Sequence, residues 1–503
     1  MNLRHQIRRF GAALACVAGA MLATDAHAQG QNRGDREQTI AIKADTVHLG
    51  NGETIENGVV LIVGGKIAGV GPGLAIPRGA TVIEVERSSV TPGLIDAYAR
   101  LERVDPFDAA RRESGRGRLA EIVRRMHGDH ETGAFACTCT GFDLCPAGHM
   151  HFEYEVDGVT CPLCAFPNHM PMEAASGLVS TASLTESSSE VVAHTSVLDS
   201  INLRGADFDR LAGGGVTTVF VSPDSAAVIG PRGAIVRTGG PVRGRVVEEQ
   251  SAVQAAMNSD TFRFGPGNNP PFRGFVTNQT RRPNTRMGVT WVFRKAFYDS
   301  ARHAEGLPVS GADTAPLAAL DVLHRVRVGE VPLRVHARQK NDIESAFRMG
   351  REFGLSFTLL EATEAYELID LLKDADATVV FGPIEADPTG PRRFTPEARR
   401  GRLGTFRELL DAGVRTALTA QDLRDENGLA RQAMYAVWSG VSPGDALRAV
   451  TLTPAEILGI DDRVGSIEAG KDADLVVWSG EPLDPTSRPL LVLINGRVEV
   501  DRR

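Results

Sequence analysis

Two β-rich stretches, one near each end of the chain, enclose a middle built on a different rhythm, and this arrangement limits the possible folds more than any other feature. From Ile40 to Val90 short apolar runs alternate with turn signals. Val59-Val60-Leu61-Ile62-Val63, Ile67-Ala68-Gly69-Val70 and Val82-Ile83-Glu84-Val85 are separated by Gly64-Gly65 and Gly71-Pro72-Gly73, with Asn51-Gly52 ahead of them. Runs of this kind bounded by glycine and proline read as hairpins of a small sheet. The pattern returns at Leu475-Val476-Val477-Trp478 and at Leu490-Leu491-Val492-Leu493-Ile494, which Asn495-Gly496 follows. One sheet domain assembled from both stretches, over 39–90 and 456–503, is therefore expected.

Between them, Val216 to Val221, Leu333 to His336, Ser356 to Leu360, Thr378 to Phe381 and Thr416 to Thr419 read as buried strands. Amphipathic stretches such as Asp342 to Phe353 and Thr405 to Ala412 lie between those runs. Strand-then-helix order repeated in this way implies a parallel sheet, closed or open. At 503 residues the chain exceeds the ~100–200 of an ordinary domain, which leaves room for a large α/β domain and a smaller companion. A net charge of −8 without a long basic run gives no footprint for nucleic acid.

The first 28 residues have the make-up of a secretory signal: Arg4, Arg8 and Arg9, an apolar run from Phe10 to Ala23, and Ala26-His27-Ala28 before Gln29. The run falls short of the ~20 residues a spanning helix needs, and no later segment reaches that length. Arg8-Arg9 is a poor match to a twin-arginine signal in its flanks, and Ala13-Leu14-Ala15 before Cys16 is a weak match for lipidation. A periplasmic or secreted protein follows, with 29–38 as a polar linker.

Residues 105–200 break the strand–helix rhythm and read as an insertion. Five of the six cysteines lie there: Cys137-Thr138-Cys139, Cys145 and Cys161-Pro162-Leu163-Cys164, with His149, His151 and His169 close by. Two cysteine pairs can supply the corners of a tetrahedron around zinc. The expected ligands are Cys137, Cys139, Cys161 and Cys164, with Cys145 or one of the three histidines as possible substitutes. Disulfides are the competing reading in an exported protein, although five cysteines cannot all pair within one chain. A Cys161-Cys164 redox pair is a third reading.

The run Val90-Thr91-Pro92-Gly93-Leu94-Ile95-Asp96 resembles the entry to the first barrel strand of the amidohydrolase superfamily, in its imidazolonepropionase-like branch. Gly215-Val216-Thr217-Thr218-Val219, Ile229-Gly230-Pro231-Arg232-Gly233-Ala234, Thr285-Arg286-Met287-Gly288 and Thr453-Pro454-Ala455-Glu456-Ile457-Leu458-Gly459 match as well. So does Gly465 to Leu475, which resembles the family's return into a composite β-domain. The resemblance implies a distorted TIM-type (β/α)8 barrel over 91–455, interrupted by the insertion, with a small composite β-sandwich domain. It also implies metal-dependent hydrolysis of non-peptide C–N bonds. Such enzymes hold one or two divalent metals by an His-x-His pair on the first strand, one His each on the fifth and sixth, and an Asp on the eighth. The metal lowers the pKa of water and polarises the scissile carbonyl.

At those positions this chain carries Tyr98 and Arg100, then His336, Glu361 and Gln421. No histidine follows His336 and none lies between His48 and His127, so a shifted register rescues neither the first-strand nor the sixth-strand ligands. A guanidinium does not deprotonate in a protein and cannot bind a cation. The expected function is a non-catalytic homologue that binds a small anionic or peptide-like ligand, self-associates, or pairs with an active paralogue. Glu361 would then pair with Arg100 or Arg338. The alternative is an active hydrolase with a reduced site of His336, Glu361 and Asp422, or a site recruited from the cysteines. A third possibility makes the insertion itself a metal-binding or redox module.

Overall fold

The computed structural model describes residues 39–101, 189–223, 225–261, 282–309, 313–384, 400–421 and 428–503, with Leu184, Glu186, Gly311 and Glu397 besides. Asp422 and the expected ligands Cys137, Cys139, Cys145, His149, His151, Cys161, Cys164 and His169 lie outside the described residues.

One sheet draws on both β-rich stretches. Its strands are β1 (Thr39–His48), β2 (Thr54–Val63), β3 (Lys66–Pro72), β4 (Thr81–Glu84) and β5 (Ser89–Pro92), joined by three more from the other end of the chain. Numbering those three after the barrel strands makes them β14 (Leu475–Trp478), β15 (Pro489–Ile494) and β16 (Arg497–Asp501). The order is β16-β15-β14-β5-β1-β2-β3, with β4 alongside β1. Leu475-Val476-Val477-Trp478 is apolar throughout because both its faces are covered. Leu475 and Val477 enter this sheet's own core with Ile40, Ile42 and Val60, while Val476 and Trp478 enter the core shared with the barrel.

The second sheet also has eight strands: β6 (Leu94–Ala99), β7 (Val216–Val221), β8 (Ile229–Arg237), β9 (Val246–Ala256), β10 (Leu333–Ala337), β11 (Phe357–Glu361), β12 (Thr378–Phe381) and β13 (Arg415–Leu418). They follow one another in sequence order from β6 to β13. Neighbours are parallel except around β8, which runs antiparallel to both β7 and β9. The result is a nearly closed, distorted TIM barrel, and β8 is a departure from the all-parallel sheet that the strand–helix rhythm implies. Helices Lys340–Phe353 and Thr405–Asp411 pack between strands, each placing an apolar stripe on the outer core. Inside the barrel, Ile95, Ala97, Phe220, Leu360 and Val380 meet Ala455 and Leu458 of helix Leu452–Leu458, which fills the end where the parallel strands begin.

Gly93 lets the chain pass from the first sheet into the barrel. A β-carbon there would lie 2.1 Å from the Thr217 hydroxyl, so any larger residue would push β6 off β7. The seam between β6 and β13 is closed by groups other than a strand ladder. Val450 and Ala449 accept the backbone N–H groups of Ile95 and Leu418, at 2.8 and 2.9 Å. Higher up, the buried Asp96 carboxylate accepts from the Thr419 hydroxyl at 2.7 Å, from Tyr98 N–H at 2.9 Å and from Ala420 N–H at 3.0 Å. Arg100 N–H reaches Gln421 O at 3.1 Å. Edge groups that a sheet would leave bare inside the protein are thereby satisfied. Among the described residues no helix is long and apolar enough to cross a membrane.

Candidate functional site

Every side chain of the site stands at the end towards which the parallel strands run, where barrel proteins place their chemistry. Tyr98 and Arg100 close β6, Ser225 follows β7, Asn258 and Asp260 follow β9, His336 and Arg338 close β10, Glu361 ends β11 and Gln421 follows β13. Strand periodicity explains part of this. On β10, Leu333, Val335 and Ala337 face the outer core, so Arg334 and His336 point into the barrel. Glu361 pairs in register with outward-facing Ala337 and needs a different device. Its φ of +70°, followed by +52° at Ala362, breaks the alternation, and the carboxylate reaches His336 instead. Gln421 has a φ of +55°. Left-handed backbone at residues with a β-carbon costs about 1–3 kcal/mol each, and such strain collects at binding and catalytic sites.

His336 is fully buried and held at both ring nitrogens. The Asn258 side-chain oxygen accepts from Asp260 N–H at 3.0 Å, which turns the Asn258 amide N–H towards Nδ1 of His336. Nδ1 is then the acceptor, and Nε2 carries the proton and donates to Oε2 of Glu361. Burial pushes the imidazole down to about 4 against the partial pull of Glu361, so it is neutral near pH 7. The unfolded chain takes this proton near the ordinary value of 6.5 and so binds more protons between pH 6.5 and 4. Stability contributed by neutral His336 is present above 6.5 and lost as pH falls through that window, by roughly 3 kcal/mol in all. The difference in unfolding free energy between the native protein and His336→Gln, followed by urea titration from pH 7 to 4, should shrink as pH falls. A difference that stays constant across the window counts against this account.

Glu361 also accepts from Arg338 Nε at 2.8 Å and from the Gln421 amide at 3.1 Å. Arg338, only 4% exposed, extends both terminal nitrogens to Asp260 at 2.8 Å each. Burial would lower the guanidinium's pKa, but Asp260 and Glu361 outweigh it and the net direction is upward. Burial likewise pushes Asp260 up, and the Arg338 charge reverses it to well below the usual carboxylate range. Arg100 donates to the Tyr98 hydroxyl at 2.7 Å and to Ser225 at 2.8 Å, and Ser225 donates on to Asp260 at 2.6 Å. Burial raises the Tyr98 phenol, which therefore keeps its proton and leans on the His336 ring at 5.7 Å between centroids.

The structure thus brings together Tyr98, Arg100, His336, Glu361 and Gln421. It adds Asn258, Asp260 and Ser225, which the sequence reading did not pick out. Asn258 and Asp260 stand just past the stretch Ala252 to Met257, apolar but for Gln254, and that position at a strand end is the available signal. Lys295 lies on helix Arg286–Ala304 and pairs with Asp299. Among the described residues, no group of three or more His, Cys, Asp and Glu side chains is arranged to hold a metal ion.

Comparison with known proteins agrees with this architecture. The model of the Amidohydrolase family matches residues 356–501. "Amidohydrolase tasK" of Hapsidospora irregularis is 25% identical over 372 residues, covering 69% of this chain and 37% of that protein. The imidazolonepropionase of Methylobacterium sp. (strain 4-46) is 26% identical over 436 residues, covering 85% of this chain and 88% of its own length. A crystal structure of an amidohydrolase from Thermotoga maritima MSB8 superposes with a TM-score of 0.66 at 24% identity, covering 92% of this chain and 100% of that one. With the barrel entered through Pro92-Gly93, the sheet shared between distant stretches and these likenesses side by side, the chain resembles the amidohydrolase superfamily, the imidazolonepropionases among its relatives.

Proposed function

We propose that this chain is an exported, non-catalytic member of the superfamily that binds a small ligand or a protein partner, and whose barrel does without the family's divalent metals. The observation that carries the reading is the double engagement of His336. One nitrogen is taken by Asn258 and the other by Glu361, leaving the one imidazole among the described residues of the site no free lone pair for a cation. The donor set points the same way. Beside that imidazole stand a phenol and an amide, and the carboxylates Glu361 and Asp260 are both in direct contact with the guanidinium of Arg338. A divalent ion placed among them would meet a permanent positive charge and would have to break the pairs that already neutralise the site. These residues do not suit a metal.

Export rests on the make-up of residues 1–28, and a structural zinc on the cysteines of the insertion. The test is an assay of mature protein, supplied with zinc or manganese, on linear and cyclic amides. Turnover indistinguishable from that of His336→Ala is expected. Divalent-dependent turnover that disappears in His336→Ala would overturn the proposal and revive a reduced hydrolytic site.

A further inference from the structure

We infer that the cleft between the shared sheet and the two helices that follow the last barrel strand is a second binding site, built for a small organic cation: an ammonium group on an apolar body. The site is separate from the barrel mouth and stands whether or not the barrel holds a metal. Three distant parts of the chain wall it. They are the turn between β1 and β2, the link between β14 and β15, and helices Gly428–Trp438 and Pro443–Arg448. The cleft encloses about 400 Å3, within the roughly 300–1,000 Å3 of clefts that take up small molecules. Helix Gly428–Trp438 follows the last strand and runs back along the outside of the barrel, so Val437 near its end lies away from His336.

Two properties of the walls select the ligand. One side is apolar, formed by Val437, Pro443, Leu447 and Leu483. The other carries the carboxylates of Glu53, Glu481 and Asp484, and among the described lining residues there is no lysine or arginine. Exposed carboxylates elsewhere are met by guanidinium groups, as Glu352 is by Arg294 at 2.6 Å. Here the partners are neutral: Asn51 for Glu53, Thr486 for Asp484, and the imidazole of His48 for Glu481 at 3.3 Å. Burial lowers the pKa of His48 against the pull of Glu481 and Glu56, so the ring is uncharged near pH 7 and cancels none of this negative charge. Like charges in a cleft with an apolar wall focus the field on its interior. An anion is repelled there, and an inorganic cation leaves the apolar wall facing water. An ammonium on an apolar body satisfies both sides.

Two glycines keep the lip of the cleft open. A β-carbon on Gly444 would lie 3.9 Å from the Gly52 α-carbon, an ordinary contact, and one on Gly52 would meet nothing within 4 Å. A leucine at 444 would therefore project across the gap without displacing backbone.

The experiment is isothermal titration calorimetry of the mature protein with three ligands that share an indole body. Tryptamine carries an ammonium, tryptophol a hydroxyl and indole-3-propionate a carboxylate. One tryptamine per chain should bind with a Kd of about 0.1–1 mM, as expected for a ligand of this size. Tryptophol should bind about tenfold more weakly, and indole-3-propionate should give no measurable heat. Gly444→Leu should weaken tryptamine by at least about tenfold, and Glu481→Gln by about three- to tenfold. Glu481 is exposed, so its variant folds and decides the matter if Gly444→Leu does not. His336→Gln should bind tryptamine as the native protein does. The inference is overturned if the native protein takes up no tryptamine, or binds it no more tightly than tryptophol. It is equally overturned if Glu481→Gln binds tryptamine unchanged, or if binding is lost in His336→Gln, which would move the ligand to the barrel mouth.

Discussion

Asp96→Ala is expected to destabilise the fold by about 3–5 kcal/mol, the largest loss from any single side chain at the barrel seam. Asp96 sits on the first barrel strand, and its carboxylate accepts two backbone N–H groups and one hydroxyl, two of the three donors coming from just beyond the last strand. Each buried donor left without a partner costs about 1–3 kcal/mol. Burial raises the pKa of Asp96 while the hydrogen bonds to Thr419, Tyr98 and Ala420 oppose the shift. Its charge is therefore a cost and its acceptors are the benefit. Asp96→Asn, which keeps one acceptor oxygen, should fall between the native protein and the alanine variant. Denaturant unfolding gives the magnitudes, and amide exchange at Tyr98, Ala420 and Gln421 should accelerate in the variants. A loss below about 0.5 kcal/mol, the range of an ordinary surface change, would mean that the seam is held elsewhere.

Much of this barrel is readable from residues alone, because strands covered on both faces leave unbroken apolar runs. Val216–Val221 and Thr378–Phe381 lie where the sequence puts them, and the run expected at Leu333 to His336 extends by only one residue to Ala337. The antiparallel β8 was not legible as a strand. Gly230, Pro231 and Gly233 interrupt its apolar pattern, and the reason for Gly233 is tertiary: a β-carbon there would lie 2.2 Å from the Phe220 ring. Local pattern carries no trace of a neighbour 13 residues away across a hairpin.

The site divides in a similar way. Tyr98, Arg100, His336, Glu361 and Gln421 could be placed because each is counted from a recognisable strand end. Asn258, Asp260 and Ser225 lie in irregular turns, and their roles depend on where His336 and Arg338 point in space. The left-handed turn at Glu361 was equally out of reach, since strict alternation would send that carboxylate outward with Ala337. Its pairing with Arg338 had been one of two options in the sequence, and the 2.8 Å contact shows that pair to be made.

Cys137→Ser and Cys161→Ser are each expected to remove a single zinc ion per chain from the purified mature protein, a change from stoichiometric metal to almost none. The knuckle spacing Cys161-Pro162-Leu163-Cys164 and a second pair, Cys137-Thr138-Cys139, offer four thiolates within one short window. Structural zinc contributes about 10–16 kcal/mol of apparent binding energy in small thiolate sites, enough to fold a segment with little core of its own. Losing one of four ligands weakens such a site sharply, and the segment should become sensitive to protease while the barrel melts as before. Elemental analysis reads the metal, and thiol labelling separates the competing chemistry. Zinc-bound thiolates should react only after a chelator is added, disulfides only after a reductant, and a redox pair at once. His336→Ala should leave the zinc content unchanged, because its ring nitrogens are committed within the barrel. Zinc that survives both serine substitutions but is lost with His336 would move the metal into the barrel and reverse the assignment.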